Sequence, residues 1–354
     1  MENFFINPSQ PYIIAGPCAI ENDSQFSSAV DTLSQMPQVA MIRCGIWKPR
    51  TRPGGFEGLG EKAFAIVERQ RGRYPRLRFC CEVASPAHLE AALAHGLDAI
   101  WVGARTTASP FAIQELSEAL RGTDIPLLVK NAPSPDIRLW LGAIERFRQV
   151  GVTSIAAVHR GFDIYNNLGY RNNPLWQLPI ELHRLMPDLP IFCDPSHIAG
   201  RTDAIAQLSQ TALDLHFDGL MLEVHPTPCE ALTDAAQQLT PVELTQLLSS
   251  LVCRTENTDQ IPANLQELRT QIDLLDHQLL QLLADRLQIS CQIAQVKQQH
   301  NLSAYQPKRW QTLLDDRLAQ ASGMGLDQHF VKTLLEMIHA ESVARQEELL
   351  NNKD

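Results

Sequence analysis

Residues 219–226 read Gly219-Leu220-Met221-Leu222-Glu223-Val224-His225-Pro226, and the fold turns on them. Leu220–Val224 is a continuous apolar run broken only by Glu223. A strand with one wet face would alternate, whereas an unbroken run needs cover on both faces, as in a parallel sheet. Working back toward the N-terminus, similar short runs recur at Ile191–Cys193, Ser154–Val158, Leu127–Lys130, Ala99–Val102, Phe79–Val83, Val39–Arg43 and Tyr12–Ala15. A helical stretch follows each. Eight strands with interleaved helices in about 245 residues predict an α/β fold, the (β/α)8 TIM barrel. No Gly-x-Gly-x-x-Gly follows any of them, so a dinucleotide fold is the weaker choice.

The chain has 354 residues, room for a large barrel and something more. After Asn264 only Pro307, Gly323 and Gly325 remain as structure breakers, so the last stretch reads as a second, helical domain. The expected boundaries are 1–249 for the barrel, 250–264 for a linker rich in Thr, Asn and Asp, and 265–354 for the helices. A 44% hydrophobic share excludes disorder as the main state. The net charge of -10 argues against nucleic acid as a partner, because that affinity rests on basic surface. No apolar run is long enough to span a membrane, and the N-terminus lacks the features of a secretory signal, so a cytoplasmic location is expected. The eight cysteines show no Cys-x-x-Cys spacing and are read as reduced thiols.

Barrel chemistry sits at the C-terminal strand ends. Those ends deliver two sets of residues. The first is basic: Arg43, Lys48, Arg50, Arg105, Lys130 and Arg160. Cations from separate strands converging on one mouth would repel one another unless the occupant carries several negative charges, which implies a phosphorylated, carboxylated substrate. The second set is Cys18, His197, Glu223 and Asp234. One thiolate, one imidazole and two carboxylates suit a borderline divalent ion such as manganese, iron, cobalt or zinc.

Beyond the linker, apolar residues at 265, 268, 272, 275, 279, 282, 283, 287, 289, 293 and 296 keep helical spacing to about residue 299. Such a helix reaches about 50 Å, too long to be buried in its own small domain, so a partner chain is expected. Helices near 307–321 and 327–350 follow. At about 100° per residue, Arg286 and Lys297 fall about 20° apart on one face, while Arg269 lies about 100° off that stripe. Ser342 and Gln346 are one turn apart and share a face.

The front domain resembles DAHP synthases. The resemblance rests on Ala15-Gly16-Pro17-Cys18, Lys48-Pro49-Arg50-Thr51, Gly103-Ala104-Arg105-Thr106, Asp194-Pro195-Ser196-His197-Ile198-Ala199-Gly200-Arg201 and residues 219–226. It implies that Cys18, His197, Glu223 and Asp234 hold one divalent metal ion, with manganese first in order. It also implies phosphoenolpyruvate at Arg43, Gly103, Ala104, Arg105, Lys130 and Arg160, and erythrose 4-phosphate at Lys48, Pro49, Arg50 and Thr51. Glu82 and Lys130 would position water and move protons. Residues 161–168 resemble instead a loop of 3-deoxy-octulosonate 8-phosphate synthases, but that family has Ala-Asn-Arg where this chain has Pro49-Arg50-Thr51. The four-carbon acceptor is therefore favoured.

The helical domain resembles the all-helical chorismate mutases through Leu268-Arg269-x-x-Ile272-Asp273, Leu282-Leu283-Ala284-Asp285-Arg286, Lys297, Arg309 and Ser342-x-x-x-Gln346. This implies an intertwined homodimer with Arg269 entering the partner's site. Arg286, Arg309 and Ser342 would bind the carboxylates of chorismate, and Lys297 and Gln346 would act catalytically at the ether oxygen. Gln306 and Trp310 depart from the pattern, standing where some relatives contact the substrate hydroxyl with acids. The expectation is a bifunctional shikimate-pathway enzyme, with chorismate or prephenate at the helical domain inhibiting the synthase. Three alternatives stand beside it: a helical domain that only dimerises and senses, a barrel that is a 3-deoxy-octulosonate 8-phosphate synthase-like enzyme, and a barrel aldolase using Lys130 as a Schiff base.

Overall fold

A computed structural model describes residues 3–7, 10–48, 54–165, 169–254 and 263–351. The chain divides into two compact units, residues 1–255 and 256–354. In the first, eight strands close a barrel in sequence order: β1 (Tyr12–Gly16), β2 (Val39–Cys44), β3 (Arg78–Val83), β4 (Ala99–Val102), β5 (Leu127–Lys130), β6 (Ile155–His159), β7 (Ile191–Cys193) and β8 (Gly219–Glu223). All pairs are parallel, and the ring closes with Tyr12 opposite Gly219 and Gly16 opposite Glu223.

Side chains alternate across each strand, so each run serves two cores. Ile14, Met41, Cys80, Trp101, Leu128, Val158, Phe192 and Met221 fill the barrel interior. Ile13, Ile42, Cys81, Ile100, Val129, Ala157 and Leu222 face outward under the helices. This double duty is why the runs are unbroken. Phe5 packs edge-on against Tyr12 and Phe192, joining this inner cluster near the start of β1. The opposite mouth, at the strand C-termini, carries the polar residues.

Helix starts are set by side-chain caps: Ser85 accepts from the His88 N–H, Ser109 from Ala112, and Thr240 forms a capping box with Glu243. Asp194 caps the short helix Pro195–Ala199 by accepting from the His197 N–H, which fixes where His197 leaves the rim. All eight cysteines are unpaired, and Cys44, Cys80, Cys81 and Cys193 are buried in the barrel.

Among its described residues the second unit has three helices: Ala263–Gln299, Pro307–Gly323 and Gln328–Asn351. Their ends differ by up to two residues from those predicted, because polar residues such as Asn264 and Ser322 continue a helix that apolar spacing does not mark. Most of the predicted linker lies outside the described residues. The 37-residue first helix is about 55 Å long. Leu268, Ile272, Leu275, Leu279 and Leu282 on it are all more than half exposed. No helix among the described residues is long and apolar enough to cross a membrane.

Candidate functional site

The barrel mouth is built around a carboxylate cluster and the cations facing it. Cys18 follows β1, Glu223 ends β8, and Asp234 sits on the loop beyond it; their ligand atoms lie within 4.8 Å of one another. His197 stands beside them, its Nε2 3.7 Å from Glu223 Oε1 and its Nδ1 2.8 Å from Asp194 Oδ2. Burial alone would raise the Glu223 carboxyl, but His197, Arg43 and Lys48 outweigh it and hold it at about 2. Asp234 is likewise kept well below the usual carboxylate range: burial opposes this, and Lys48 with Arg171 overcomes it. The Cys18 thiol is pushed up to about 12, by burial first and by Glu223 next. Ionised oxygens, an imidazole and a buried thiol fit a borderline divalent cation, which would have to draw the proton off Cys18.

Arg43, on β2, is buried, with Nη2 2.9 Å from Glu223 Oε1. Its Nε and Nη1 are buried without a hydrogen-bond partner among the described residues. Two such donor nitrogens are costly unless an anionic ligand accepts from them. Lys130 ends β5 and donates to Asp194 Oδ2 at 2.6 Å; its ammonium and the Arg43 guanidinium both lie over the Trp101 ring, at 5.9 and 5.3 Å. Arg160 donates to Asn172 Oδ1 at 2.7 Å. Burial lowers its pKa to about 10; Asp194 pulls the other way, while Arg171 and Arg105 push it down further.

Glu82 accepts from Trp101 Nε1 at 3.1 Å. Gly103 passes so close to it that a Cβ there would stand 2.1 Å from Glu82 Oε1. Ala104 and Arg105 open the short helix Ala104–Thr107 just after β4, with Arg105 exposed. Lys48 reaches into the carboxylate cluster, 2.7 Å from Cys18 Sγ and 2.8 Å from Asp234 Oδ2. Pro49, Arg50 and Thr51 lie outside the described residues.

Sequence reasoning passed over Asp194 as a site residue, and also Arg171, Asn172, Gln237 and Gln238. Asp194 had a signal, an acid one residue past a strand end. The others lie in irregular loops, where spacing carries no period to read.

In the helical unit, a cavity of about 340 Å³ is lined by Arg286, Ser290, Lys297, Arg309, Ser342 and Gln346, with Gln306, Trp310 and His339 among its other walls. Arg286 Nη1 donates to Ser342 Oγ at 2.6 Å. Lys297 Nζ donates to Gln346 Oε1 at 3.0 Å, and Gln346 Nε2 to Ser290 Oγ at 2.7 Å. Ser342 and Gln346 are buried on a largely exposed helix, so the polar network and not an apolar stripe marks this face. Arg286 and Lys297 share it, as their angular separation predicted. Arg269 is exposed and does not line its own chain's cavity. Trp310 stacks on His339 with ring centres 4.0 Å apart, an aromatic wall that the sequence did not signal. Ser290 carried a faint signal, one turn after Arg286.

Comparison with known proteins agrees with both regions. Residues 7–260 match the DAHP synthetase I family and residues 268–347 match chorismate mutase type II. The chain is 33% identical over 227 residues to a phospho-2-dehydro-3-deoxyheptonate aldolase of Thermotoga maritima, covering 64% of each. It is 37% identical over 82 residues to the T-protein of Haemophilus influenzae, covering 23% of this chain and 22% of that one. A crystal structure of the Thermotoga maritima DAHP synthase superposes with a TM-score of 0.62 at 30% identity, over 69% of this chain and 68% of that one. The chain thus spans less than two thirds of the length of the first two relatives. With the match running over well over half of its residues, the chain belongs to the DAHP synthetase I family, and a chorismate mutase type II domain follows that region.

Proposed function

We propose that this chain is a bifunctional cytoplasmic enzyme of the shikimate pathway. Its barrel condenses phosphoenolpyruvate with erythrose 4-phosphate and water to 3-deoxy-arabino-heptulosonate 7-phosphate and phosphate, and its helical unit rearranges chorismate to prephenate. One observation carries the barrel reading. Two buried guanidinium nitrogens of Arg43, with no hydrogen-bond partner among the described residues, share a mouth with the sulfur and carboxylate donors of Cys18, Glu223 and Asp234.

In this reading Arg43, Arg105, Lys130 and Arg160 bind the phosphate and carboxylate of phosphoenolpyruvate, and Gly103 and Ala104 leave room for it beside Glu82. Lys48, Pro49, Arg50 and Thr51 receive the sugar phosphate. Cys18, His197, Glu223 and Asp234 would hold a divalent cation (manganese, with iron, cobalt or zinc as alternatives), which would supply Lewis-acid polarisation of the aldehyde. Carbon 3 of phosphoenolpyruvate bonds to the aldehyde carbon, whose oxygen takes up a proton. Water adds to carbon 2 and gives up a proton, and the carbon–oxygen bond to phosphate then breaks as the new hydroxyl passes its proton to the departing phosphate, leaving a ketone. Glu82 and Lys130 are the groups assigned to positioning that water and moving those protons. The arginines stabilise the departing phosphate.

In the helical unit, Arg286, Arg309 and Ser342 hold the carboxylates of chorismate, while Lys297 and Gln346 donate to the ether oxygen as its bond breaks. A preorganised cationic cage suffices for this intramolecular rearrangement. The exposed leucines of the first helix support a homodimer in which Arg269 completes the partner's site. Two steps of one pathway in one chain also support feedback, with chorismate or prephenate at the helical unit inhibiting the synthase.

Phosphate release from phosphoenolpyruvate, measured with erythrose 4-phosphate and with arabinose 5-phosphate, each with and without chelator, tests the barrel. Release with the four-carbon sugar alone, lost on chelation, is expected. Release with neither sugar refutes the reading. Loss of chorismate absorbance tests the helical unit; binding without turnover would leave it a sensor.

A further inference from the structure

We propose that Gln237 and Gln238, consecutive on the turn after Asp234, are positioning residues that set the spacing of the cation donors, with Arg171 as their anchor. The inference rests on reading Cys18, His197, Glu223 and Asp234 as those donors. Both glutamines are 1% exposed. Burying a primary amide is costly unless its oxygen and nitrogen are both bonded, and here all four atoms are. Gln237 Nε2 donates to Glu223 Oε2 at 2.6 Å, and its Oε1 accepts from Arg171 Nη1 at 2.6 Å. Gln238 Oε1 accepts from the Cys18 backbone N–H at 2.9 Å, and its Nε2 donates to the Thr233 carbonyl at 2.8 Å.

The turn between these residues is not relaxed. Asp234 has φ 46° and ψ 38°, a left-handed conformation that costs a non-glycine residue about 1 kcal/mol or more unless its surroundings hold it. Arg171 does so from one side, with Nη1 3.3 Å from Asp234 Oδ1. Room for Arg171 is made by Gly200, where a Cβ would stand 2.5 Å from that of Arg171. Three donors from β8, the loop after β1 and the loop after β8 therefore take their positions from one five-residue turn. Neighbours that orient ligands in this way commonly change metal affinity by about 10–100-fold when removed.

The test is Co²⁺ binding to the full chain after chelator treatment, followed by equilibrium dialysis and by absorption. The thiolate charge-transfer band reports Cys18, and the visible ligand-field bands report the coordination geometry to which the carboxylates contribute. Gln237→Met is expected to weaken Co²⁺ binding by about 10–100-fold and to alter the ligand-field bands. Gln238→Met is expected to displace the thiolate band. Thermal unfolding of the chelated proteins should stay within a few degrees of the native chain. Arg171→Lys, at a half-exposed site that keeps its charge, should weaken binding by several-fold. Native affinity and native spectra in all three variants, or weakening that only follows lost stability, would overturn the proposal. A native chain that takes up no Co²⁺ would remove both the donor reading and this inference. Native uptake with indifferent variants would remove this inference alone.

Discussion

Arg43→Lys is the sharpest test of the barrel mouth. The native guanidinium uses Nη2 on Glu223 and leaves Nε and Nη1 buried with no hydrogen-bond partner among the described residues. Lysine keeps the charge beside Glu223, so the buried carboxylate is not stranded, but it cannot present two further N–H groups in a fork. Each charge-assisted bond to a phosphate or carboxylate is worth about 1.5–3 kcal/mol net. Losing two removes about 3–6 kcal/mol of transition-state binding, or about 10²–10⁴-fold in kcat/KM for phosphoenolpyruvate. The lower end applies if the ammonium regains one contact. The assay is phosphate release at saturating erythrose 4-phosphate over a range of phosphoenolpyruvate. Chorismate consumption by the same preparation serves as the control and should be unchanged. A variant with native thermal unfolding and kcat/KM within fivefold of native would show that Arg43 does not meet the substrate, and the reading of the basic set would fail with it.

Three other outcomes follow from the structure. Gly103→Ala places a methyl 2.1 Å from Glu82 Oε1, so Glu82 must shift; overpacking of about 1–3 kcal/mol and at least a tenfold fall in phosphate release are expected, and an unchanged rate would detach Glu82 from the reaction. His159, buried among Trp140, Phe162, Trp176 and Phe217, is held at about 3, first by burial and then by Arg160. The unfolded chain therefore takes the proton first: stability is complete above about pH 6.5 and falls by about 1.4 kcal/mol per pH unit toward pH 3. His159→Phe should remove that slope, and parallel acid-unfolding curves for the two proteins by circular dichroism would contradict it. Leu279→Glu puts a charge on the exposed face of the first helix; under the proposed homodimer it should halve the mass found by light scattering and sharply lower chorismate turnover, because the proposal places Arg269 in the partner's site. A monomeric variant with native turnover would count against the shared site.

The barrel was legible because each strand is buried on both faces, so its composition alone marks it, and all eight strands lie within a residue or so of where the apolar runs put them. Residues that leave the strand ends, such as Cys18, Arg43, Lys130 and Glu223, were legible for the same reason: a strand's end fixes which rim its next side chain joins. The face shared by Arg286 and Lys297 follows from helix geometry. What happens between those residues was not legible. Lys48, expected at the sugar phosphate, reaches the Cys18 sulfur and Asp234.

Local periodicity thus determined the barrel, the three helices and the rim on which the charges stand, because strand and helix repeats are properties of a few neighbouring residues. Tertiary structure alone decided which donors meet. Cys18 and Asp234 are 216 residues apart, and Cys18 and Gln238 are 220 apart. A hydrogen bond closed across such a separation depends on how loops from different strands settle against one another, and no spacing within either loop encodes it.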